Sequence, residues 1–311
     1  MKVGKRRLRR FVAGELNHVY QRTLKGFNIF YDRYDYLLYY TVFSVLSRCY
    51  GLTVLGLCLM ENHIHSLIQT ENKDSLSRFM DHCSSVFVRE YNFSIGRKGA
   101  LLQKRFGSAP KIGSKKMRTA IAYLFNNPVE KLLTDTAECY RWNFLAYAQS
   151  SHPFSKDIPN RKMSRALKRA VQEVDAARAV NNHLKYNQLK RFFSRLSEDE
   201  VECLTDYIIV KYSPFDYEHL ISHYGSYQNL LIAVNSNTGS EYDIKEEFNP
   251  FSDIAYDKMK RILTEMGFSP VRSVIMLSSE EKFHVMKYLH AKTDASSRQI
   301  AKFLHLNLND A

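Results

Sequence analysis

Two histidines one residue apart, His63-Ile64-His65, are the sharpest chemical feature of the sequence. On a strand, residues i and i+2 point to the same face. Both imidazoles would then project together while Ile64 turns into a core, and two neutral imidazoles so placed can hold one divalent metal. A pair of surface or cavity histidines has the same spacing, so the pair alone does not decide. Tyr123 and Asn127 stand four apart at the end of a helical pattern and share a face. A tyrosine beside an amide that can ligate metal could be a nucleophile, although most of the 20 tyrosines must serve packing or the surface. The third feature is basic: Gln103-Lys104-Arg105-Phe106, then Lys111, Lys115, Lys116 and Arg118, with Arg6, Arg7, Arg9 and Arg10 near the start. Cations beside an aromatic suit phosphate contacts with base stacking; a solvated basic loop is the plainer alternative.

These side chains need elements to hold them. Residues 17–23 alternate polar and apolar and read as a strand. Residues 32–50 read as a helix ended by Gly51. Residues 52–59 read as a strand buried on both faces; Met60, Glu61 and Asn62 form a short turn, and 63–69 return as a second strand. A helix is expected over 75–91 with Ser75 as N-cap, a strand over 101–106, a basic loop over 111–118, and a helix over 117–126 stopped by Pro128. The order strand, helix, strand, strand, helix, strand, helix suits an α+β fold: a ferredoxin-like, antiparallel-centred sheet with helices. Residues 150–163, with two prolines, serines and charges, read as a linker. Beyond it the chain reads as mainly helical, with capping boxes at Ser197/Glu200 and Ser278/Glu281 and a loop at 235–240. Two domains follow, 1–150 and 151–311. Residues 279–304 resemble part of a helix-turn-helix, although only seven residues follow Leu304, too few for a full recognition helix.

Charge points to the partner. The formal net charge is +13 over 311 residues, with a pI near 9.4. Basic residues exceed acidic ones by twelve over residues 1–150 and by one over 151–311. So uneven a division favours nucleic acid as the partner of the first half. Cys49, Cys58, Cys83, Cys139 and Cys203 form no CxxC pair and read as buried thiols in a reducing compartment. The basic start has no apolar stretch behind it, and no apolar run is long enough to span a membrane. A cytoplasmic protein is expected.

Taken in series, the motifs resemble the REP-associated tyrosine transposases, within the single-tyrosine HUH transposases (U is a bulky apolar residue). Met60-Glu61-Asn62-His63-Ile64-His65 stands where the family reads Met-Pro-Asn-His-Val-His. Leu102-Gln103-Lys104-Arg105-Phe106 is similar to its Trp-Gln-Gly-Arg-Phe element. Tyr123 to Val129 is similar to its Tyr-x-x-x-Asn-Pro-Val element, and Tyr140-Arg141-Trp142 to its Tyr-Arg-Trp. Tyr20-Gln21-Arg22 ahead of Phe30 also looks similar. The resemblance covers roughly residues 14–147. Glu61 replaces the usual proline, and Glu130-Lys131-Leu132 the usual Arg-Ala-Gly.

The resemblance implies that His63 and His65 bind Mg²⁺ or Mn²⁺ with Asn127 as third ligand. It implies that Tyr123 attacks a phosphate of single-stranded or hairpin DNA and forms a 5′-phosphotyrosine link. The enzyme would act in DNA transposition or in mobilising palindromic repeat elements, as a monomer or a homodimer. Two other readings stay open: a domesticated DNA-hairpin-binding protein that no longer cuts, and an RNA-processing nuclease on a ferredoxin-like fold.

Overall fold

The computed structural model of the chain describes residues 11–236 and 254–307. Arg6, Arg7, Arg9 and Arg10, and most of the loop expected at 235–240, lie outside the described residues.

Alternating residues make β1 (Leu16–Arg22). Asp32 then caps α1 (Arg33–Cys49), its carboxylate accepting from the Tyr34 and Asp35 amides while the Asp35 side chain completes a capping box. β2 (Thr53–Met60) and β3 (His63–Gln69) form a hairpin across the turn Glu61-Asn62. α2 (Lys73–Ile95) starts earlier than expected because Asn72, and not Ser75, is its N-cap; Gly96 ends it in the left-handed conformation. β4 (Gly107–Lys111) and α3 (Ser114–Glu130) follow. The strand order is β2-β3-β1-β4, with every neighbouring pair antiparallel. This is the split βαβ, ferredoxin-like arrangement the sequence predicts.

Directly opposed residues share a face, so the register sorts the side chains. Tyr20 lies opposite His65 and Arg22 opposite His63, while Gln21 lies opposite Ile64 and Val19 opposite Ser66. The Val19, Leu57, Leu59, Ile64 and Ile68 face is covered by α1 and α2 with Phe43, Phe79 and Phe87. The histidine face is covered by α3, whose Ala120, Ile121, Leu124 and Phe125 pack on Leu16, Cys58, Met60 and Leu67. Gly56 permits this approach: a Cβ there would lie 3.1 Å from Phe125 and 3.2 Å from Leu124.

Four local expectations are corrected. The fourth strand is Gly107–Lys111, not 101–106, where Leu102 makes only an isolated bridge to Thr23. Its Pro110 is tolerated because β4 is an edge strand. The stretch 111–118 is not a loop: Lys111 ends β4 and is 1% exposed, and α3 already begins at Ser114. Pro128 does not stop α3, which runs on to Glu130. Near a C-terminus a proline forfeits one backbone bond, and the Lys131 amide still reaches the Asn127 carbonyl. Of the five cysteines, Cys49 and Cys139 are exposed, not buried.

The second half is helical: α4 (Arg165–Ala179), α5 (Tyr186–Phe193), α6 (Glu198–Tyr212), α7 (Tyr217–Ser222), α8 (Tyr227–Asn235), α9 (Ile254–Glu265), α10 (Ser279–Lys292) and α11 (Ser297–Leu304). Ser197 and Ser278 form the expected capping boxes with Glu200 and Glu281. These helices do not stand apart from the sheet. One apolar core runs from Val19 and Phe43 to Leu204, Leu289 and Phe303. Arg272 reaches the buried Asp35 of α1 at 2.6 Å, and the Tyr186 hydroxyl donates to the same carboxylate at 2.6 Å. α11 buries Gln299, Ile300, Ala301, Phe303 and Leu304, so the stretch read as part of a helix-turn-helix turns most of its second helix inward. Among the described residues no helix is long and apolar enough to cross a membrane.

Candidate active site

β3 carries His63 and His65 on one face, and their ring centroids lie 5.0 Å apart with perpendicular planes. His65 is 1% exposed, and His63 is half-buried at the turn. The His63 Nδ1 lies 2.7 Å from the Asn62 Oδ1. A carboxamide oxygen only accepts, so His63 Nδ1 donates and the lone pair of the neutral ring resides on Nε2. The asparagine orientation that assigns this tautomer follows from the hydrogen-bond network.

The neighbouring strand adds a histidine that the motif reading missed. His18 of β1 is fully buried, and its Nε2 lies 3.0 Å from His65 Nδ1. If His65 donates to His18, the lone pair of His65 is likewise on Nε2, the pattern in which a second group fixes a ligand's tautomer. A lone histidine in an alternating strand carries no signal; only the β1–β3 register brings His18 beside His65.

α3 supplies the other half of the site. The Tyr123 ring lies 5.9 Å from that of His65 and 5.8 Å from that of His18, and Tyr123 is 3% exposed. Asn127 follows one helical turn later and is fully buried, and neither atom of its side-chain amide has a hydrogen-bond partner among the described residues. Tyr20 flanks the site, its ring 6.5 Å from that of His65. That ring lies flat over Gly107, where a Cβ would come within 2.0 Å of it, so only glycine fits opposite this tyrosine.

The expected basic contacts divide. Gln103, Lys104 and Arg105 are exposed. The Gln103 amide bonds the Arg22 carbonyl at 2.9 Å, which fixes this stretch at the end of the sheet where Arg22 opposes His63. Lys115, Lys116 and Arg118 are exposed on the first turns of α3, which hold no acidic residue. Cations at a helix N-terminus oppose the helix dipole, so this surface gains from an anion. Lys111 is the exception: its side chain lies inside and does not offer an open contact to a strand. Among the described residues no group of three or more His, Cys, Asp or Glu is disposed to hold a metal.

Comparisons with known proteins bear on the segment that carries these features. Residues 18–127 match the family model described as transposase IS200 like, a stretch that begins at His18 and ends at Asn127. The match agrees with the resemblance to the single-tyrosine transposases and supports a transposase-type, DNA-processing role for this segment. Among solved structures the chain is similar to one described as a REP-associated tyrosine transposase bound to a REP hairpin. Identity is 14%, with 52% of this chain and 98% of that chain covered, at a TM-score of 0.40. Among curated proteins none matches.

Proposed function

We propose that the chain is a metal-dependent single-stranded DNA endonuclease and strand transferase that works through a 5′-phosphotyrosine intermediate, acting in transposition or in mobilising palindromic repeat elements. The observation that carries this reading is the approach of Tyr123 to within 5.9 Å, ring to ring, of His65, whose own ring lies 5.0 Å from that of His63.

The donor set fits one divalent ion. His63 and His65 would each offer Nε2, and Asn127 offers a buried side-chain amide that lacks a partner among the described residues. A buried orphan amide costs about 1–3 kcal/mol, a cost that a ligand at the amide oxygen removes. Oxygens of water and substrate phosphate suit the remaining positions of Mg²⁺ or Mn²⁺. When bound, the ion supplies Lewis-acid polarisation of the phosphate.

The protein's own part is positioning and attack. Tyr123 Oη attacks phosphorus, the bond to the 3′-oxygen breaks, and the phosphoester passes to the tyrosine. The ester is exchanged, not hydrolysed, so no ATP is required. The depth of Tyr123 favours a single strand, alone or beside a hairpin, because a rigid duplex cannot bend its backbone to so buried a hydroxyl. Lys104, Arg105, Lys115, Lys116 and Arg118 would hold the flanking phosphates.

The test is a 3′-labelled single strand incubated with the full chain and Mn²⁺, then run on a denaturing gel. Label that moves with the protein supports the reading. Binding without an adduct would favour a non-cutting hairpin binder, and cleavage of RNA without an adduct an RNA-processing nuclease.

A further inference from the structure

Glu61 is the departure that matters most for the site, because it stands in the turn that presents His63. A charged residue replaces a rigid one there, and it is 3% exposed. Its partner comes from far along the chain. Lys260 of α9 places Nζ 2.7 Å from Glu61 Oε1, and the side chains are 16% and 4% exposed. Lys260 also meets Asp257 at 3.2 Å. Burial disfavours the ammonium, but Glu61 and then Asp257 outweigh it and hold the Lys260 pKa above the ordinary lysine value.

The same turn is tied down at its backbone. The Ile29 amide donates to the Glu61 carbonyl at 2.9 Å, and the Thr23 amide to the Asn62 carbonyl at 3.1 Å. The loop that supplies these donors is gripped by α11. The Asn28 amide bonds the Lys302 carbonyl at 3.3 Å, the Tyr31 hydroxyl the Phe303 carbonyl at 2.6 Å, and Phe27 stacks on His305 at 4.5 Å. Asn62, at the tip, is the residue whose Oδ1 orients the His63 ring.

We propose that Lys260 is a positioning residue for the candidate metal site: its ion pair with Glu61 braces the β2–β3 turn and so fixes the tautomer and aim of His63. The inference rests on the reading of His63 as a metal ligand. It assigns to the helical half a part in the chemistry that the matched segment, residues 18–127, does not contain. A largely buried ion pair adds little net stability, but it specifies one geometry, and partners behind a ligand change metal affinity by about 10–100-fold.

Two measurements on the full chain test it. In metal-free protein, the imidazole nitrogen spectrum of His63 should report the Nδ1–H form. Lys260→Met should mix the tautomers or broaden the signal, while Lys260→Arg should preserve it. In a Mn²⁺ titration followed by electron paramagnetic resonance, Lys260→Met should bind about ten-fold more weakly, and Lys260→Arg like wild type. Should Lys260→Met unfold because Glu61 is left buried without its counter-charge, Glu61→Gln with Lys260→Met removes both charges and is expected to show the same loosened His63. A folded variant with an unchanged His63 spectrum and unchanged Mn²⁺ affinity would overturn the proposal. Wild-type protein that takes up no Mn²⁺ would instead sink the metal reading, and the brace is then judged on the imidazole spectrum alone.

Discussion

The two faces of the one sheet are built to different rules. Under α1 and α2 the strands present Val19, Leu57, Ile64 and Ile68 to a layer of aromatic rings, such as Phe43 against Phe79 at 5.1 Å. On this face Gln21 donates to the Ser84 hydroxyl at 2.9 Å. Under α3 the strands present His18 and His65, and the helix lowers Tyr123 onto them together with Asn127, whose side-chain amide has no partner among the described residues. A face that bears such a cost is arranged for something other than holding the fold. The difference teaches that stability and chemistry have been placed on opposite sides of the same four strands, so each can be changed while the other is watched.

The strongest way to break that separation is Tyr123→Phe. Covalent adduct on a denaturing gel should vanish, while stability in a urea melt should change by about 1 kcal/mol or less. Persistent adduct would move the nucleophile to another tyrosine. On the opposite face Phe43→Ala should cost about 3–5 kcal/mol and leave Mn²⁺ affinity of the folded protein unaltered; a parallel loss of affinity would mean that the faces are coupled. Asn127→Leu sharpens the comparison most. It removes an orphan amide, so metal-free stability should rise by about 1 kcal/mol while Mn²⁺ binding weakens. A lower melting temperature would show that the amide is satisfied after all. The smallest effect is expected at the rim: Arg105, Lys115 and Lys116 all changed to Ala should lower the salt slope of single-strand binding by roughly 2. An unchanged slope would take these cations out of the interface.

How much of this was legible depends on how local its cause is. β3 was readable to the residue, because alternation and the His63-Ile64-His65 spacing lie within seven residues. α1 was readable from Asp32 and Gly51, its own start and stop. β4 was not, since Gly-Ser-Ala-Pro-Lys has turn chemistry and becomes a strand only by pairing with β1 under the Tyr20 ring. Lys111 was misjudged as an open contact for the same reason. His18 and Lys260 depend on register and on a contact across 199 residues, which no local pattern encodes. The one available signal was Glu61, a charge in a turn that had no evident partner. In the helical half α6 and α10 were readable from the capping boxes at Ser197 and Ser278, whereas α4, α5, α7, α8 and α9 were covered only by the reading that the half is mainly helical. Its union with the sheet through Arg272, Asp35 and Tyr186 was not.

The grip of α11 on the loop before α1 also gives the protein a sense of time. A chain is made from its first residue onward, and domains begin to fold as they emerge. Every side chain proposed to touch DNA or metal has been synthesised by Asn127, yet Lys260 and Phe303 arrive long afterwards. Until then the nascent chain holds the histidines and the tyrosine without the ion pair proposed to aim them. On the proposed reading the site gains its aim only once α9 and α11 have been made, and a ribosome-held chain halted near residue 150 is expected to take up Mn²⁺ more weakly than the full chain.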